Sequence, residues 1–276
     1  MFNFFKKKKE ILSTVNYIVF MLSFSLLILS GNSFADRTTS KSTYGWTGVY
    51  VGGFVGGASS AETTSSQPYT THSPAHYWNT PYGNTNTFDT NASFIGGGTV
   101  GYNWQIAKTA YLVGLEGEYG YLDMSGSKAD PNASLWNAAH PSWQAAKGLN
   151  STNVGGSYGY GLVGGRIGYA MDRTLFYVKS GAVFTNTQTN YTDASWLTTS
   201  GHSNSPGYAL GAGIEYALPT EWFKLAKNIS IKTEYLYFGI ARTQDTEGVC
   251  GRHYNWTTTD TTSGIHTAKI GVNYKF

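Results

Sequence analysis

The chain has 276 residues and a formal net charge of +3, and its first ten residues, with four lysines against Glu10, carry that whole excess. The remaining 15 basic and 15 acidic side chains cancel, so no basic surface is available to phosphates, and a nucleic acid is not an expected partner. Charged residues make up only 13% and aromatic residues 16%, with 34 Gly, whereas soluble domains carry about 25% charge. This composition is typical of a membrane β-barrel made of weakly hydrophobic strands.

The N-terminus has the order of a secretory signal peptide. The lysine cluster is followed by an apolar stretch over 17–29 and by the small-residue pattern Ser-Phe-Ala, which ends at Ala35. We therefore predict cleavage between Ala35 and Asp36, which leaves residues 36–276 as the mature domain. The alternative is a membrane helix retained over 11–30, but polar residues interrupt that run.

The mature chain contains segments in which apolar and polar side chains alternate, as they do on a strand. In YLVGLEGEYGYL, Leu115 and Tyr119 fall on one face, and Glu116 and Glu118 fall on the other. The segment WTGVYVGGFVGGA has almost no polar side chains, so its faces cannot be assigned. In chain order, the predicted strands lie within 46–58, 93–105, 111–122, 157–170, 175–184, 207–218, 228–239 and 266–276.

The connections between these strands alternate between long and short. Short ones cover 106–110 and 171–174, and the connection over 219–227 is intermediate. This asymmetry is typical of outer-membrane barrels, with short periplasmic turns and longer extracellular loops. We predict an all-β fold, an eight-stranded antiparallel transmembrane β-barrel with four long extracellular loops and both termini periplasmic. Ten strands, with an extra hairpin in the first or second long loop, are the alternative. The long loops, rich in Thr, Ser and Asn, cover 59–91, 123–156, 186–205 and 240–264.

The polar face of the predicted strands holds acidic and basic side chains in equal number. An eight-stranded barrel has an interior just wide enough for side chains to fill. Because unpaired charges in a dry interior are costly, we expect mutual ion pairs and a filled, neutral lumen rather than an ion path. The eight residues are Glu116, Glu118, Arg166, Lys179, Glu215, Lys232, Glu234 and Lys269.

The last strand places Ile270, Val272, Tyr274 and Phe276 on its lipid-facing side. A C-terminal Phe on such a strand resembles the assembly signal of bacterial outer-membrane proteins. We therefore expect the barrel assembly machinery as a partner, together with outer-membrane lipid and lipopolysaccharide.

Several segments resemble the outer membrane immunogenic protein family, small porin-like barrels of Gram-negative bacteria. GWTGVYVGGFVGG is similar to the opening of that family, and GYNWQ, VGLEGEYGYL, IKTEYLYFG and KIGVNYKF are similar to later segments in the same order. The resemblance implies an integral protein of the outer membrane, surface antigenicity, and in some members porin activity or binding of a host ligand such as haem. It carries over no catalytic residue, and we expect no enzyme activity, metal or cofactor.

The sequence thus favours a surface-exposed structural and antigenic protein that binds host or envelope ligands through its loops. A narrow channel for small solutes is the alternative, and a lipid-modifying enzyme that uses His266 on the lipid face is a third hypothesis. A serine from a neighbouring strand, hydrogen-bonded to His266, would support the enzyme. The metal-like spacings of His72 with His76 and of Cys250 with His253 are interpreted as solvated loop side chains.

Overall fold

A computed structural model describes most of the chain from residue 44 onward. The predicted cleavage site between Ala35 and Asp36, His72, His76 and His253 lie outside the described residues, as does the side chain of Cys250. The described part contains no helix long and apolar enough to cross a membrane. The described residues are 44–60, 64–70, 86–88, 90–129, 149–156, 159–192, 198–219, 228–240, 242–250, 254–262 and 264–276.

All regular structure in the described residues is β-strand. The strands are β1 (Gly48–Ser60), β2 (Thr64–Thr70), β3 (Asn86–Phe88), β4 (Ser93–Gln105), β5 (Tyr111–Ala129), β6 (Leu149–Gly155), β7 (Tyr160–Met171), β8 (Thr174–Thr192), β9 (Thr198–Ala217), β10 (Ile229–Gly239), β11 (Arg242–Cys250), β12 (Tyr254–Thr262) and β13 (Ile265–Lys275).

Eight of these strands close into an antiparallel barrel. Going around it, β1 pairs with β4, then β5, β7, β8, β9, β10 and β13 follow, and β13 pairs back onto β1. The predicted fold class is therefore confirmed, and the alternative of a ten-stranded barrel is wrong. Closure satisfies every strand edge, as a hydrocarbon environment requires.

Side-chain exposure alternates along the barrel strands with the predicted period. On β5, Leu115 and Tyr119 are exposed to the outside, while Glu116 and Glu118 are buried in the lumen. The faces of β1, which the sequence left unassigned, follow the same rule: Val49, Val51 and Val55 point outward, and Tyr50 and Phe54 point inward. The outer surface is thus a continuous apolar band that meets lipid.

Short connections lie at one end of the barrel, here named the turn end. β4 reaches β5 through 106–110, and β7 reaches β8 through Asp172 and Arg173. Lys108 and Asp172 have positive φ angles of 64° and 53°, which tight turns of this kind require. The opposite end, here named the loop end, is where the barrel strands run into the long connections.

At the loop end, β8 and β9 continue as a paired hairpin far beyond the apolar band. Their register runs without interruption to Thr192 opposite Thr198. Much of the long connection predicted over 186–205 is therefore paired strand, from Asn186 opposite Asn204 to Thr192 opposite Thr198. The residues there are mostly Thr, Asn and Ser, so the apolar alternation that marks a lipid-facing strand disappears, while β-branched Thr still favours the extended backbone.

Two other strand sets also lie in segments predicted as loops. β6 fills the gap between β5 and β8 above β7, and the break between β6 and β7 contains Gly155, Gly156 and Gly159 with φ angles of 87°, 62° and 63°. A separate four-stranded antiparallel sheet has the order β11-β12-β2-β3 and joins the first long connection to the last. The sequence missed this sheet because its strands carry no alternating apolar pattern.

The lumen contains two apolar layers with charged residues between them. Along β5, Leu112 belongs to the layer at the turn end and Leu122 to the layer at the loop end, while Glu116 and Glu118 lie between. The turn-end layer includes Tyr44, Trp46, Leu112, Ala170, Leu175 and Ala217. The loop-end layer includes Phe54, Ile95, Leu122, Met124, Val183, Leu236, Phe238 and Ile265.

Candidate functional site

All eight charged residues predicted to face the interior lie in the lumen between the two apolar layers. Each is at most 5% exposed. They come from β5, β7, β8, β9, β10 and β13, and the structure brings them together in one continuous set of ion pairs, here named the lumen charge network. Their positions follow from the alternation of each strand, which points every second side chain inward.

The centre of the network is a lysine surrounded by carboxylates. Lys179 on β8 donates hydrogen bonds to Glu116 and Glu118 on β5, and its Nζ lies 3.4 Å from Glu234 Oε1. Lys269 on β13 bridges the same acids, with Nζ 2.7 Å from Glu118 Oε2 and 2.8 Å from Glu234 Oε1. The two lysines therefore join strands on different sides of the barrel.

Towards the turn end, Arg166 takes the role of the central cation. Its Nη1 lies 3.1 Å from Glu215 Oε2 and 3.7 Å from Glu116 Oε2. Its Nε donates a hydrogen bond of 2.9 Å to the side-chain oxygen of Asn103. Lys232 Nζ lies 3.4 Å from Glu116 Oε2, so this one glutamate contacts three cations.

Three tyrosines complete the network, and the sequence did not single them out. The hydroxyl of Tyr50 donates to Glu116 at 2.5 Å, that of Tyr160 to Glu118 at 3.1 Å, and that of Tyr177 to Glu234 at 3.0 Å. The guanidinium carbon of Arg166 lies 4.7 Å and 5.0 Å from the ring centres of Tyr50 and Tyr177. For Tyr177, the sequence did contain a signal, because alternation places it on the same polar face as Lys179.

The network pairs four acids with four bases, so its formal charge is zero. Neutrality matters because a buried charge without a partner costs several kcal/mol, about 3–5 when one member of a pair is removed. Carboxylate oxygens of Glu116, Glu118 and Glu234 all lie within 4.8 Å of one another, a donor set suited to a cation. The ammonium groups of Lys179 and Lys269 already supply positive charge at this place.

The turn end of the lumen is covered by the residues that precede β1. Tyr44 and Trp46 are buried, with ring centres 4.9 Å apart, and Lys275 Nζ lies 4.5 Å from the Tyr44 ring centre. Lys275 also donates a hydrogen bond to the carbonyl of Gly45. Burial, with a smaller contribution from the negative charge of Glu215, raises the pKa of Tyr44 to about 12. These contacts hold residues 44–46, here named the stopper, across the turn end of the lumen.

The predicted lipid-facing residues of the last strand all lie on the outer surface. Ile270, Val272, Tyr274 and Phe276 are exposed, and the rings of Tyr274 and Phe276 are 5.2 Å apart in an edge-to-face arrangement. The backbone N–H of Phe276 donates a hydrogen bond of 3.0 Å to the carbonyl of Val49. The terminal residue thus belongs to the seam that closes the barrel.

His266 lies on the outer surface close to the loop end. Its Nδ1 forms a hydrogen bond with the hydroxyl of Tyr235, and the ring of Tyr237 lies 5.4 Å away. The residue opposite His266 on β1 is Ser59, but the hydroxyl bonded to His266 in the structure is that of Tyr235. The serine contact that would support a lipid-modifying enzyme is therefore replaced by a tyrosine contact.

The family described as the outer membrane protein beta-barrel domain matches residues 24–276. The chain belongs to this family. It is 26% identical over 250 residues to the 31 kDa outer-membrane immunogenic proteins of Brucella melitensis and Brucella suis, a match that covers 88% of this chain and of each relative. Family membership confirms the predicted resemblance. It also shows that the chain is an outer-membrane β-barrel protein.

Solved barrels resemble the chain more distantly. The outer membrane protein OprG from Pseudomonas aeruginosa is 10% identical, with a TM-score of 0.45, and the match covers 87% of this chain and all of that one. Neisserial surface protein A is 12% identical, with a TM-score of 0.36 and coverage of 83% and 98%.

Proposed function

We propose that the protein is a sealed barrel that presents its loop end at the cell surface and interacts there with host or envelope ligands. The observation that carries this proposal is the filled lumen. The lumen charge network spans the barrel interior, and apolar layers lie above and below it. A permeating ion would have to displace paired charges from a dry environment and then cross an apolar layer, which is costly.

The orientation follows from the lengths of the connections. Outer-membrane barrels keep short turns on the periplasmic side and longer loops outside. The turn end would then face the periplasm together with the stopper and Phe276, and the loop end would face the outside. The extended β8–β9 hairpin and the four-stranded sheet would form the surface that antibodies or host molecules meet.

The conductance of a planar bilayer tests whether the lumen is sealed. We expect the protein purified from outer membranes to give no stable conductance steps, while circular dichroism shows that it is folded. Glu116→Gln alters the lumen charge network, and Asp123→Asn on the same strand is the matched control, because Asp123 bonds Asn153 outside the network. Conductance steps that change with Glu116→Gln and not with Asp123→Asn would establish a channel instead.

Labelling of intact cells tests the orientation separately. In a Cys250→Ser background, we expect a membrane-impermeant maleimide to label Ser200→Cys at the exposed end of β9. Lys108→Cys in the turn between β4 and β5 should be labelled only after lysis. Labelling of Lys108→Cys but not of Ser200→Cys in intact cells would mean that the barrel has the reverse orientation. That outcome would contradict the proposed surface role of the loop end.

A further inference from the structure

The outer wall of the barrel carries an open groove of about 970 Å³ that is lined by residues of β1, β5, β7, β8, β9, β10 and β13. Its shape comes from small side chains placed between large ones on the lipid-facing side. Val178 pairs with Ala212, Ala212 pairs with Tyr235, and Tyr235 pairs with Ala268, so large and small residues alternate from strand to strand. The groove is lined mostly by apolar side chains and lies in the band that meets hydrocarbon.

A polar cluster lies immediately beyond the groove on the side of the loop end. It consists of His266, Tyr235 and Tyr237, with Tyr208 beside Tyr237 at 6.1 Å between ring centres. His266 and Tyr237 are register partners one step above Ala268 and Tyr235, about 7 Å further along the strands. Tyr235 belongs to both features, because it lines the groove and bonds His266.

The hydrogen bond with Tyr235 fixes the orientation of the imidazole. It occupies Nδ1 and leaves Nε2 as the nitrogen that can bind a ligand. An N–H on Nε2 would point outward and donate a hydrogen bond, which suits a phosphate oxygen. The rings of Tyr237 and Tyr208 add flat surfaces at the level where aromatic side chains meet lipid headgroups.

We propose that this surface is a binding site for one molecule of lipopolysaccharide, with a phosphate on His266 and an acyl chain in the groove. The combination of an apolar groove and a polar group that can donate a hydrogen bond at its loop end matches the polarity of a phosphorylated, acylated lipid. Lipopolysaccharide rather than phospholipid is the occupant because the cluster lies at the end assigned to the outside. The inference therefore rests on the proposed orientation, which the maleimide experiment tests independently.

Native mass spectrometry of the purified protein in mild detergent tests the site. The protein is titrated with bisphosphorylated lipid A, monophosphorylated lipid A and phosphatidylglycerol. We expect one bound bisphosphorylated lipid A, with an affinity at least about tenfold higher than that of phosphatidylglycerol, because it offers phosphates and several acyl chains.

Two variants address the two halves of the site. Ala268→Trp fills the groove and should remove the preference for lipid A. His266→Ala should weaken lipid A binding about tenfold, as expected for the loss of a hydrogen bond to a charged group, and leave phosphatidylglycerol unchanged. Val100→Trp adds the same ring to the exposed outer face of β4, which contributes no residue to the groove, and should bind lipid A like the wild type.

Equal binding of all three lipids, or equal losses for Ala268→Trp and Val100→Trp, would show only a non-specific lipid shell and overturn the proposal. A preference for phosphatidylglycerol would exclude lipopolysaccharide as the occupant. Heat-dependent mobility on gels verifies that each variant is folded before titration. The maleimide labelling detects a barrel of reverse orientation, whereas the lipid titration detects a missing lipid site. Failure of the proposed orientation and failure of the lipid site therefore give different results.

Discussion

Individual residues in the lumen are held by several partners each, so their substitution has consequences beyond one contact. Lys179 contacts Glu116, Glu118 and Glu234 and is 1% exposed. Its side chain is also among the largest that are fully buried, so it fills interior space. A residue in this position acts both as filler and as counter-charge.

Lys179→Met keeps the volume of the side chain and removes its charge. We expect it to lower the free energy of unfolding by about 3–5 kcal/mol, because three buried carboxylates lose their shared cation. Urea titration of the protein in lipid vesicles, followed by tryptophan fluorescence, measures this loss.

The exposed Lys108→Met in the turn between β4 and β5 is the matched control and should change stability by no more than about 0.5 kcal/mol. Adding Glu116→Gln to Lys179→Met should recover part of the loss, since it removes one of the uncompensated charges. An unchanged stability of Lys179→Met would contradict the mutual dependence of these charges.

The inward direction of most network residues could be predicted from sequence, but their partners could not. Glu116 and Glu118 alternate with Leu115 and Tyr119, which fixes their face. Tyr50 was missed because the strand around it has no polar side chains to define a face. Which acid meets which base depends on the stagger of non-neighbouring strands, and period-two alternation does not contain that information.

At the scale of strands, close approach of backbones explains part of the glycine content. Gly164 on β7 lies opposite Gly181 on β8. A Cβ added at Gly164 would lie 2.4 Å from the carbonyl oxygen of Ser180, closer than atoms can pack. On the same strand, a Cβ at Gly161 would meet nothing within 4 Å. The two glycines therefore provide a matched pair.

Gly164→Ala should destabilise the barrel by about 1–3 kcal/mol, because the backbones of β7 and β8 must move apart to accept the methyl group. Gly161→Ala should be close to neutral. The comparison uses the same unfolding titration for both variants. Similar losses of unfolding free energy for the two variants would mean that the cost comes from the backbone conformational preference of alanine and not from separation of the two strands.

The extent of the strands was the part of the fold that sequence reasoning underestimated. Inside the membrane, lipid imposes apolar alternation, so the strands that cross it are visible in the sequence. Beyond it, the β8–β9 hairpin pairs from Asn186 opposite Asn204 to Thr192 opposite Thr198 without such a constraint. Backbone hydrogen bonds and β-branched threonines suffice there, and a polar strand then has the composition of a loop.

For the whole molecule, the decisive contact is the seam between the first and the last barrel strand. β1 and β13 pair from Tyr50 opposite Lys275 to Ser60 opposite Ile265, and Phe276 adds a hydrogen bond to Val49. The Phe276 side chain is 70% exposed, so it adds little to the stability of the finished barrel. Its position is suited to recognition before closure.

We expect Phe276→Ser to reduce the amount of folded barrel in outer-membrane fractions several-fold, because the assembly machinery would lose its C-terminal signal. The free energy of unfolding of the purified variant should change by no more than about 1 kcal/mol, since an exposed ring is removed. Met171→Ser, at the turn end of β7 and also exposed, is the matched control and should assemble normally. Normal assembly of Phe276→Ser would disprove the signal.

The distribution of the lumen charges also bears on the order of membrane insertion. Within the network, β5 contributes two negative charges, β7 and β8 together two positive ones, β9 and β10 a net negative one, and β13 a positive one. Of the neighbouring strand pairs, β1–β4 and β8–β9 are neutral within the network, whereas β4–β5, β5–β7, β7–β8, β9–β10 and β10–β13 carry a net charge. Because uncompensated charges do not enter hydrocarbon cheaply, we expect β5 to cross together with β7 and β8, whose two positive charges cancel its two negative ones. By the same reasoning, β9 and β10 together carry one negative charge that the positive charge of β13 compensates, so we expect these three strands to cross as a second group.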